Sequence, residues 1–483
     1  MNGFTPYLEP RSIAVIGASA DPAKPGYTLL SSIIEGGYAG ALYPINPKGG
    51  EILGRRAYAS LAEVPGEIDL AFILLGRERV PDLIRACGEK GVKSAAIITA
   101  GFGEVEGEGQ ALDGELRAAI RASGVRCTGP NTIGVVNFCH GMPASFVPLP
   151  MAAPGKVALF GQTGTIAGSL ADQILHQASQ KLDIGKIVAV GNKIDLDEVD
   201  FLEYCRDDPQ TEVIGLHLES LARPREFFAL AQQIKCDKPI VVLKSGRTEA
   251  GSRVSASHTG ALAVDDAVFD AACRQYGLIR AESVPDFLAT LKALSFQPCP
   301  AGRRVGLVSY SGGVAVLASD ELAAAGFELP DFAAETRARL QALLPDWQPV
   351  KNPVDLWPAM TGDNLGTQGN SIRIAMEDPE TDAVVLILLA VPNADCRGLS
   401  RYFREAMQAR PDTPIYGVFV GGAVAEAWKL ELEEEGTGQA VKVPVFEDSS
   451  VAVRALAASA WYAERRRRLS PDPRLLARKA PAA

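Results

Sequence analysis

Apolar residues in this chain fall in short runs, each closed by a small-residue or proline turn, and longer stretches of mixed polarity lie between them. The first runs are Ile13–Ile16, Ala41–Ile45, Leu70–Leu75 and Ala95–Thr99, with helix-like stretches at Val80–Lys90 and Gln110–Ala122. That alternation predicts a doubly wound parallel sheet with helices on its faces. The pattern returns from about Gly155 to Phe296 and again from about Gly302 to Tyr462. Pro143–Pro154 and Pro298-Cys299-Pro300 mark the joints. The expected domains are therefore residues 1–145, 150–298 and 300–465, followed by a basic tail, 466–483, at the end of a charged helix.

The second and third units read as diverged copies. Val157–Asp172 (VALFGQTGTIAGSLAD) aligns with Val305–Asp320 (VGLVSYSGGVAVLASD). Farther on, Asn192-Lys-Ile-Asp-Leu resembles Asn352-Pro-Val-Asp-Leu, and Asp208-Pro-Gln-Thr resembles Asp378-Pro-Glu-Thr. The last pair aligns Glu219 with Leu389, and the third unit contains no histidine. It keeps the scaffold and the turn Ser309-Tyr-Ser-Gly-Gly313 without the reactive pair described below, which reads as a structural or interaction domain.

Composition narrows the function. The 483 residues suffice for about three domains. A net charge of −10 argues against a general nucleic-acid binder. No apolar stretch approaches the ~20 residues that span a bilayer, and the start MNGFTPYLEPRS has no secretory pattern. The eight cysteines are scattered singly with no metal-ligand spacing, as in a reducing cytosol. These features predict a cytoplasmic protein that meets neither membrane nor nucleic acid and holds no metal of its own.

The candidate chemistry lies at the ends of the apolar runs. Ile13–Ile16 opens into Gly17-Ala18-Ser19, a turn whose backbone N–H groups and following helix suit a pyrophosphate. The dinucleotide fingerprint G-x-G-x-x-G is absent, and the second run ends in Asn46-Pro-Lys48 where an NAD site needs an acidic residue. A lysine there suits an extra phosphate, such as the 3′-phosphate of CoA. In the second unit, Gly161-Gln162-Thr163-Gly164-Thr165 follows a strand and offers hydroxyls and close backbone approach to an anion. Ser255-Ala-Ser-His258-Thr-Gly is a small-residue loop around one histidine, ahead of a helix from about Asp265 to Tyr276. Imidazole is nucleophilic near neutral pH, so His258 is a candidate phosphate carrier. Glu219 ends the strand-like run Val213–Glu219, where a carboxylate can fix the tautomer of a histidine.

Gly17-Ala-Ser, Asn46-Pro-Lys, Ile98-Thr-Ala-Gly-Phe102, Gly129-Pro-Asn131 and Ser257-His-Thr-Gly resemble, in order, motifs of succinyl-CoA synthetase and NDP-forming acyl-CoA synthetases. The resemblance runs from about Arg11 to Tyr462. It implies a Rossmann-like CoA-binding domain followed by two flavodoxin-like domains. Gly17, Ala18, Ser19, Asn46 and Lys48 would hold the nucleotide part of CoA, with Thr99 and its neighbours beside the pantetheine arm and Asn131 also among the cofactor-binding residues. Gln162, Thr163, Gly164 and Thr165 would form the phosphate loop, although the family's Ser-Gln-Ser-Gly has Gly161 and Thr163 in place of its serines. Leu75-Gly76-Arg77 also departs from the family's Val-Pro-Ala-like stretch. His258 and Glu219 would be the catalytic pair, interconverting acyl-CoA, phosphate and NDP with carboxylate, CoA and NTP. No nucleotide-binding ATP-grasp unit is visible, so an ATP-grasp beta subunit on a separate chain, binding Mg2+ with the nucleotide, is the expected partner in a hetero-oligomer or dimer. Two other readings are a CoA or acyl-CoA sensor without catalysis and a phosphate-dependent acyl or carbamoyl transferase.

Overall fold

A computed structural model describes residues 3–149, 151–165, 168, 174–175, 182–259, 265–359, 364–390, 397–434 and 442–469. Five strands, β1 (Ser12–Ile16), β2 (Ala41–Ile45), β3 (Leu70–Ile73), β4 (Ser94–Ile97) and β5 (Arg126–Thr128), form an all-parallel sheet in the order β2-β1-β3-β4-β5. Every residue of β1, β3 and β4 is buried, as in a sheet covered on both faces. Helices α1 (Pro25–Glu35), α2 (Val80–Lys90) and α3 (Glu108–Ser123) supply the cover. Pro25 sits where a helix tolerates its missing N–H, and Gly91 and Gly124 end α2 and α3 in the left-handed region.

The second sheet contains β6 (Gly134–Asn137), β7 (Met142–Ser145), β8 (Val157–Gly161), β9 (Ile184–Ala189), β10 (Val213–Leu218), β11 (Ile240–Lys244) and β12 (Ile279–Ala281). Its order is β12-β11-β10-β8-β9-β6-β7. The strands from β8 to β12 are parallel, while β6 and β7 join the edge antiparallel. Residues 134–145, expected with the first domain, thus pair with the second sheet. Their two strands cover an edge that β9 would otherwise expose. Helices α4 (Glu198–Asp207), α5 (Pro224–Ile234), α6 (Glu249–Thr259) and α7 (Asp266–Tyr276) follow. The first two sheets belong to one compact unit.

A second compact unit begins at Ser283, upstream of the expected joint at Pro298. Helix α8 (Val284–Phe296) belongs to it because the helix has no polar face to give to solvent: Phe287 through Phe296 are all buried. Ala289 and Ala293 pack with Val305 and Leu307, and Lys292 Nζ donates to the Val445 carbonyl at 3.1 Å. The unit's sheet comprises β13 (Val305–Ser309), β14 (Val354–Asp355), β15 (Ala383–Leu389), β16 (Ile415–Val420) and β17 (Val445–Phe446), all parallel in the order β14-β13-β15-β16-β17. The arginine run continues the last helix, Ser449–Leu469, and residues 470–483 of the expected basic tail lie outside the described residues.

Strand register tests the repeat. His217 lies opposite Gly161, and Ile387 lies opposite Ser309, so Glu219 and Leu389 occupy the same strand position, as the sequence alignment has it. Asp208 and Asp378 also make the same turn: each accepts the amide two residues on, Gln210 at 3.1 Å and Glu380 at 2.8 Å. The match of Asn192 with Asn352 does not hold. Val354 and Asp355 oppose Val308 and Ser309, the place taken by Val188 and Ala189 opposite Phe160 and Gly161. Asn352 therefore corresponds to Lys186, inside a strand, whereas Asn192 lies in the loop after it.

Lys186 is buried, and its Nζ reaches Asp208 Oδ2 at 2.8 Å and Gln210 Oε1 at 3.0 Å. Removing one member of such a pair leaves an uncompensated buried charge. Lys186→Met should lower unfolding free energy by about 3–5 kcal/mol in urea titration of the full chain. A loss below about 1 kcal/mol would mean that the pair behaves like an exposed bridge.

Candidate functional site

In the first sheet the chain turns to opposite sides after β1, and ligands of such sheets sit beyond the strand ends at this reversal. Gly17 N donates to the Ile45 carbonyl at 3.1 Å and Leu74 N to the Ile16 carbonyl at 2.9 Å, fixing the rim of the crevice. Gly17 has φ +99°, and a Cβ there would lie 2.5 Å from the Leu74 oxygen. At Gly26 a Cβ would lie 2.1 Å from the Gly17 oxygen, so α1 packs directly on the turn. The cradle is backbone, with Ala18 and Ser19 buried, and Ser19 Oγ accepts the Asp21 amide at 3.0 Å.

Asn46 braces that turn: its Nδ2 donates to the Ala18 carbonyl at 2.8 Å and its Oδ1 accepts the Lys48 amide at 2.9 Å. Lys48 is exposed, and its ammonium has no partner among the described residues. Thr99 Oγ1 donates to the Leu75 carbonyl at 2.7 Å, and its own carbonyl accepts the Asn131 amide at 3.0 Å. Asn131 is exposed with φ +63°. Arg77, in the stretch that departs from the family pattern, donates to the Gly101 carbonyl at 3.2 Å and pairs with Glu108 at 3.1 Å. It thereby holds the loop after β4.

The second sheet presents the other candidates. Thr163 and Gly164 are half-buried and Thr165 is exposed, with the Thr165 amide donating to Thr163 Oγ1 at 3.3 Å. Gln162 is buried and faces across the sheet. Its Oε1 accepts the amides of Glu219 at 2.9 Å and Ser220 at 3.2 Å, so the glutamine clamps the backbone that carries Glu219. Glu219 itself is buried, at the carboxyl end of β10. The expected loop at His258 is instead the last turn of α6 in its backbone trace. Thr248 caps that helix by accepting the Gly251 amide on its Oγ1 at 3.1 Å, and Glu249 pairs with Arg253 one turn on at 2.6 Å. The His258 side chain and residues 260–264 lie outside the described residues.

Several residues here carried no signal strong enough to single them out in the sequence. Glu104 Oε1 accepts the Gly101 amide at 2.6 Å, while its Oε2 accepts the Phe102 amide at 3.2 Å and Asn192 Nδ2 at 2.6 Å. Burial alone would raise its pKa, but these hydrogen bonds outweigh that and hold the carboxyl below its ordinary value. Lys193, at φ +52°, donates to the Ser220 carbonyl at 2.7 Å and to Glu198 Oε2 at 2.9 Å, and Glu198 Oε1 accepts the Ala222 amide at 2.6 Å. In the second compact unit, Gly421-Gly422 opens a helix beyond β16 beside a cavity of about 430 Å³ that Glu426, Lys429 and Glu447 also line. A Gly-Gly pair after an apolar run was the available signal.

A family model described as a CoA binding domain matches residues 11–137, and one described as a succinyl-CoA ligase like flavodoxin domain matches residues 154–294. The chain is 35% identical over 466 residues to the acetate–CoA ligase [ADP-forming] I subunit alpha of Pyrococcus furiosus, covering 95% of this chain and 98% of that one. It is 34% identical over 447 residues to subunit alpha of the form II ligase from the same organism, covering 91% and 94%. Against the form II ligase of Archaeoglobus fulgidus it is 35% identical over 466 residues, 95% of this chain but only 66% of that longer protein. The fold superimposes on acetyl-coenzyme A synthetase 1 of Ca. Korarchaeum cryptofilum, solved with phosphate and ADP, at a TM-score of 0.87 and 31% identity, covering 97% and 98% of the two chains. The chain belongs to the family of ADP-forming acetate–CoA ligases, whose alpha subunits it matches over nearly their whole length.

His217 gives a pH test of this region. Its Nε2 lies 2.8 Å from Ser245 Oγ, its Nδ1 is buried without a partner among the described residues, and burial, helped by the Lys193 charge, lowers its pKa from 6.5 to about 4. The unfolded chain takes up that proton first, so this contribution is complete above pH 6.5 and is lost as pH falls from 6.5 to about 4. It amounts to about 3 kcal/mol. His217→Asn should flatten the stability–pH curve across that window in denaturant titrations, and an equally steep curve would contradict it.

Proposed function

We propose that the chain is the CoA-binding, phosphohistidine-forming subunit of an NDP-forming acyl-CoA synthetase. The observation that carries this reading is the buried Glu219 at the end of β10. Its backbone is clamped by Gln162 in the same sheet whose next strand leads to the helix bearing Ser257-His-Thr-Gly. The near full-length likeness to ligase alpha subunits supports it.

CoA would lie with its pyrophosphate on the Gly17-Ala18-Ser19 turn, its 3′-phosphate at Lys48 and its thiol end between Thr99 and Asn131. The backbone cradle and the unpartnered ammonium fit those groups. A phosphate oxygen attacks the thioester carbonyl, the CoA thiolate leaves, and an acyl phosphate forms. Thr163, Gly164 and Thr165 would bind the phosphate oxygens, where donors matter most as charge develops. An imidazole nitrogen of His258 then attacks phosphorus, the carboxylate leaves, and Glu219 holds the ring in the nucleophilic tautomer. The phosphoryl group passes to a nucleoside diphosphate held with Mg2+ by an ATP-grasp beta subunit, a separate chain. The alpha-subunit names of the Pyrococcus relatives support such a partner, and ADP in the Korarchaeum structure supports that nucleotide. An acetyl-sized acyl group and a cytoplasmic setting complete the reading.

Calorimetry should show that CoA binds more tightly than its 3′-dephospho form and that Lys48→Ala removes the difference. Equal affinity of the native chain for both would exclude the phosphate role of Lys48. Incubation with acetyl-CoA and radioactive phosphate should place an acid-labile, base-stable label on the chain. His258→Ala should abolish it while CoA binding persists, and Glu219→Gln should slow labelling by roughly 10²–10⁴-fold. Label that survives in His258→Ala would move the chemistry elsewhere.

A further inference from the structure

The turn Gly191-Asn192-Lys193 serves neither the CoA crevice nor the phosphate loop directly, yet it touches the supports of both. Toward the first sheet, Asn192 N donates to the Pro130 carbonyl at 3.0 Å, and Asn192 Nδ2 donates to Glu104 at 2.6 Å. Glu104 in turn holds the amides of Gly101 and Phe102 in the loop that starts at Thr99. Toward the second sheet, Lys193 is bonded to the Ser220 carbonyl and to Glu198, whose other oxygen takes the Ala222 amide. Gln162 holds the amides of Glu219 and Ser220 just before them in the chain. The turn leaves no slack: Gly191 has φ +56°, and a Cβ there would lie 2.3 Å from the Pro130 oxygen.

We infer that Asn192 and Lys193 are positioning residues for the reaction proposed above, fixing the Thr99–Glu104 loop relative to the backbone that carries Glu219. The inference rests on that reaction. Thioester attack uses a thiol end placed by one sheet and a phosphate and carboxylate placed by the other, and a displacement of about 1 Å between reacting groups can cost ~100-fold in rate. Adjacent residues with side chains bonded to opposite supports transmit no such displacement. Packing alone does not demand this arrangement, because Asn192 Nδ2 spends its short bond on a carboxylate that already has two amide donors.

The test is the rate and final extent of phosphohistidine labelling of the full chain by acetyl-CoA and radioactive phosphate, with CoA affinity measured alongside. Asn192→Ala and Lys193→Met should each slow labelling ~10- to 100-fold at saturating acetyl-CoA. The KM for acetyl-CoA, the CoA affinity and the final extent of labelling should stay at wild-type values. Lys193→Arg, which retains the charge and donors, should recover most of the rate. A merely structural role would lower the final extent, the folded fraction, and leave the rate of that fraction unchanged. Should Lys193→Met fail to fold, Asn192→Ala, at a half-buried site, decides the matter: labelling at the wild-type rate overturns the inference. A wild-type chain that takes no label overturns the proposed function, and this inference with it, which separates the two failures.

Discussion

The seam between residues 190–196 and residues 127–131 is the contact on which the arrangement of the first compact unit depends. Gly129 N donates to the Val190 carbonyl, Asn192 N to Pro130, Ile194 N to Gly129 and Leu196 N to Cys127, all between 2.9 and 3.0 Å. Arg126 reinforces it from below, bonded to Asp195 at 3.0 Å and to Asp200 at 3.1 Å. Backbone pairing of this kind fixes position more firmly than side-chain packing, because each buried amide that lost its partner would carry the cost of an unmet hydrogen bond. These bonds tie the loop after β9 in the second, mixed sheet to β5 and the Gly129–Asn131 turn of the first, all-parallel one.

Around the seam, charge is handled by enclosure rather than by solvent. Lys193 and Glu198 are 4% and 0% exposed in their side chains, and besides bonding each other they bond the Ser220 carbonyl and the Ala222 amide respectively. A buried ion pair contributes little net stability, but it fixes geometry when its other donors and acceptors are satisfied. The second compact unit shows the same scaffold without this use. Its Asp378 turn and its strand register repeat those of Asp208 and β10, yet the position equivalent to Glu219 is Leu389. The two copies thus place a carboxylate residue at the strand end in one and an apolar residue at the same register position in the other.

Much of this was legible in the sequence because parallel sheets are buried on both faces, and Ile13–Ile16 and Ala41–Ile45 read directly as strands. The Val80–Lys90 helix and the alignment of Glu219 with Leu389 were equally accessible, since proline and glycine punctuate the first and a shared DPxT turn anchors the second. Residues 134–145 were less so: short strands beside a proline-rich stretch look like a linker until the partner edge at β9 is known. Local sequence puts helix α8 with the second domain, as does the family model that runs to residue 294, while Ala289 and Ala293 pack with Val305 and Leu307 of the next sheet, a contact that the prolines at 298 and 300 do not announce. Asn192 resembles Asn352 in local sequence, but strand register pairs Asn352 with Lys186. The supporting roles of Glu104, Asn192, Lys193 and Glu198 depend on contacts between segments distant in the chain, which local pattern cannot encode.

The route of oxygen through the reaction tests the central claim most directly. In an acyl phosphate pathway, the bridging oxygen comes from phosphate and stays with the carboxylate when the His258 nitrogen takes phosphorus. With an acyl-CoA and phosphate uniformly labelled in heavy oxygen, mass spectrometry of the released carboxylate should therefore find one heavy atom per molecule, matched by phosphohistidine retaining the other three. Carboxylate released with oxygen from water alone would contradict the account, since it would mean thioester hydrolysis with no phosphate in the path.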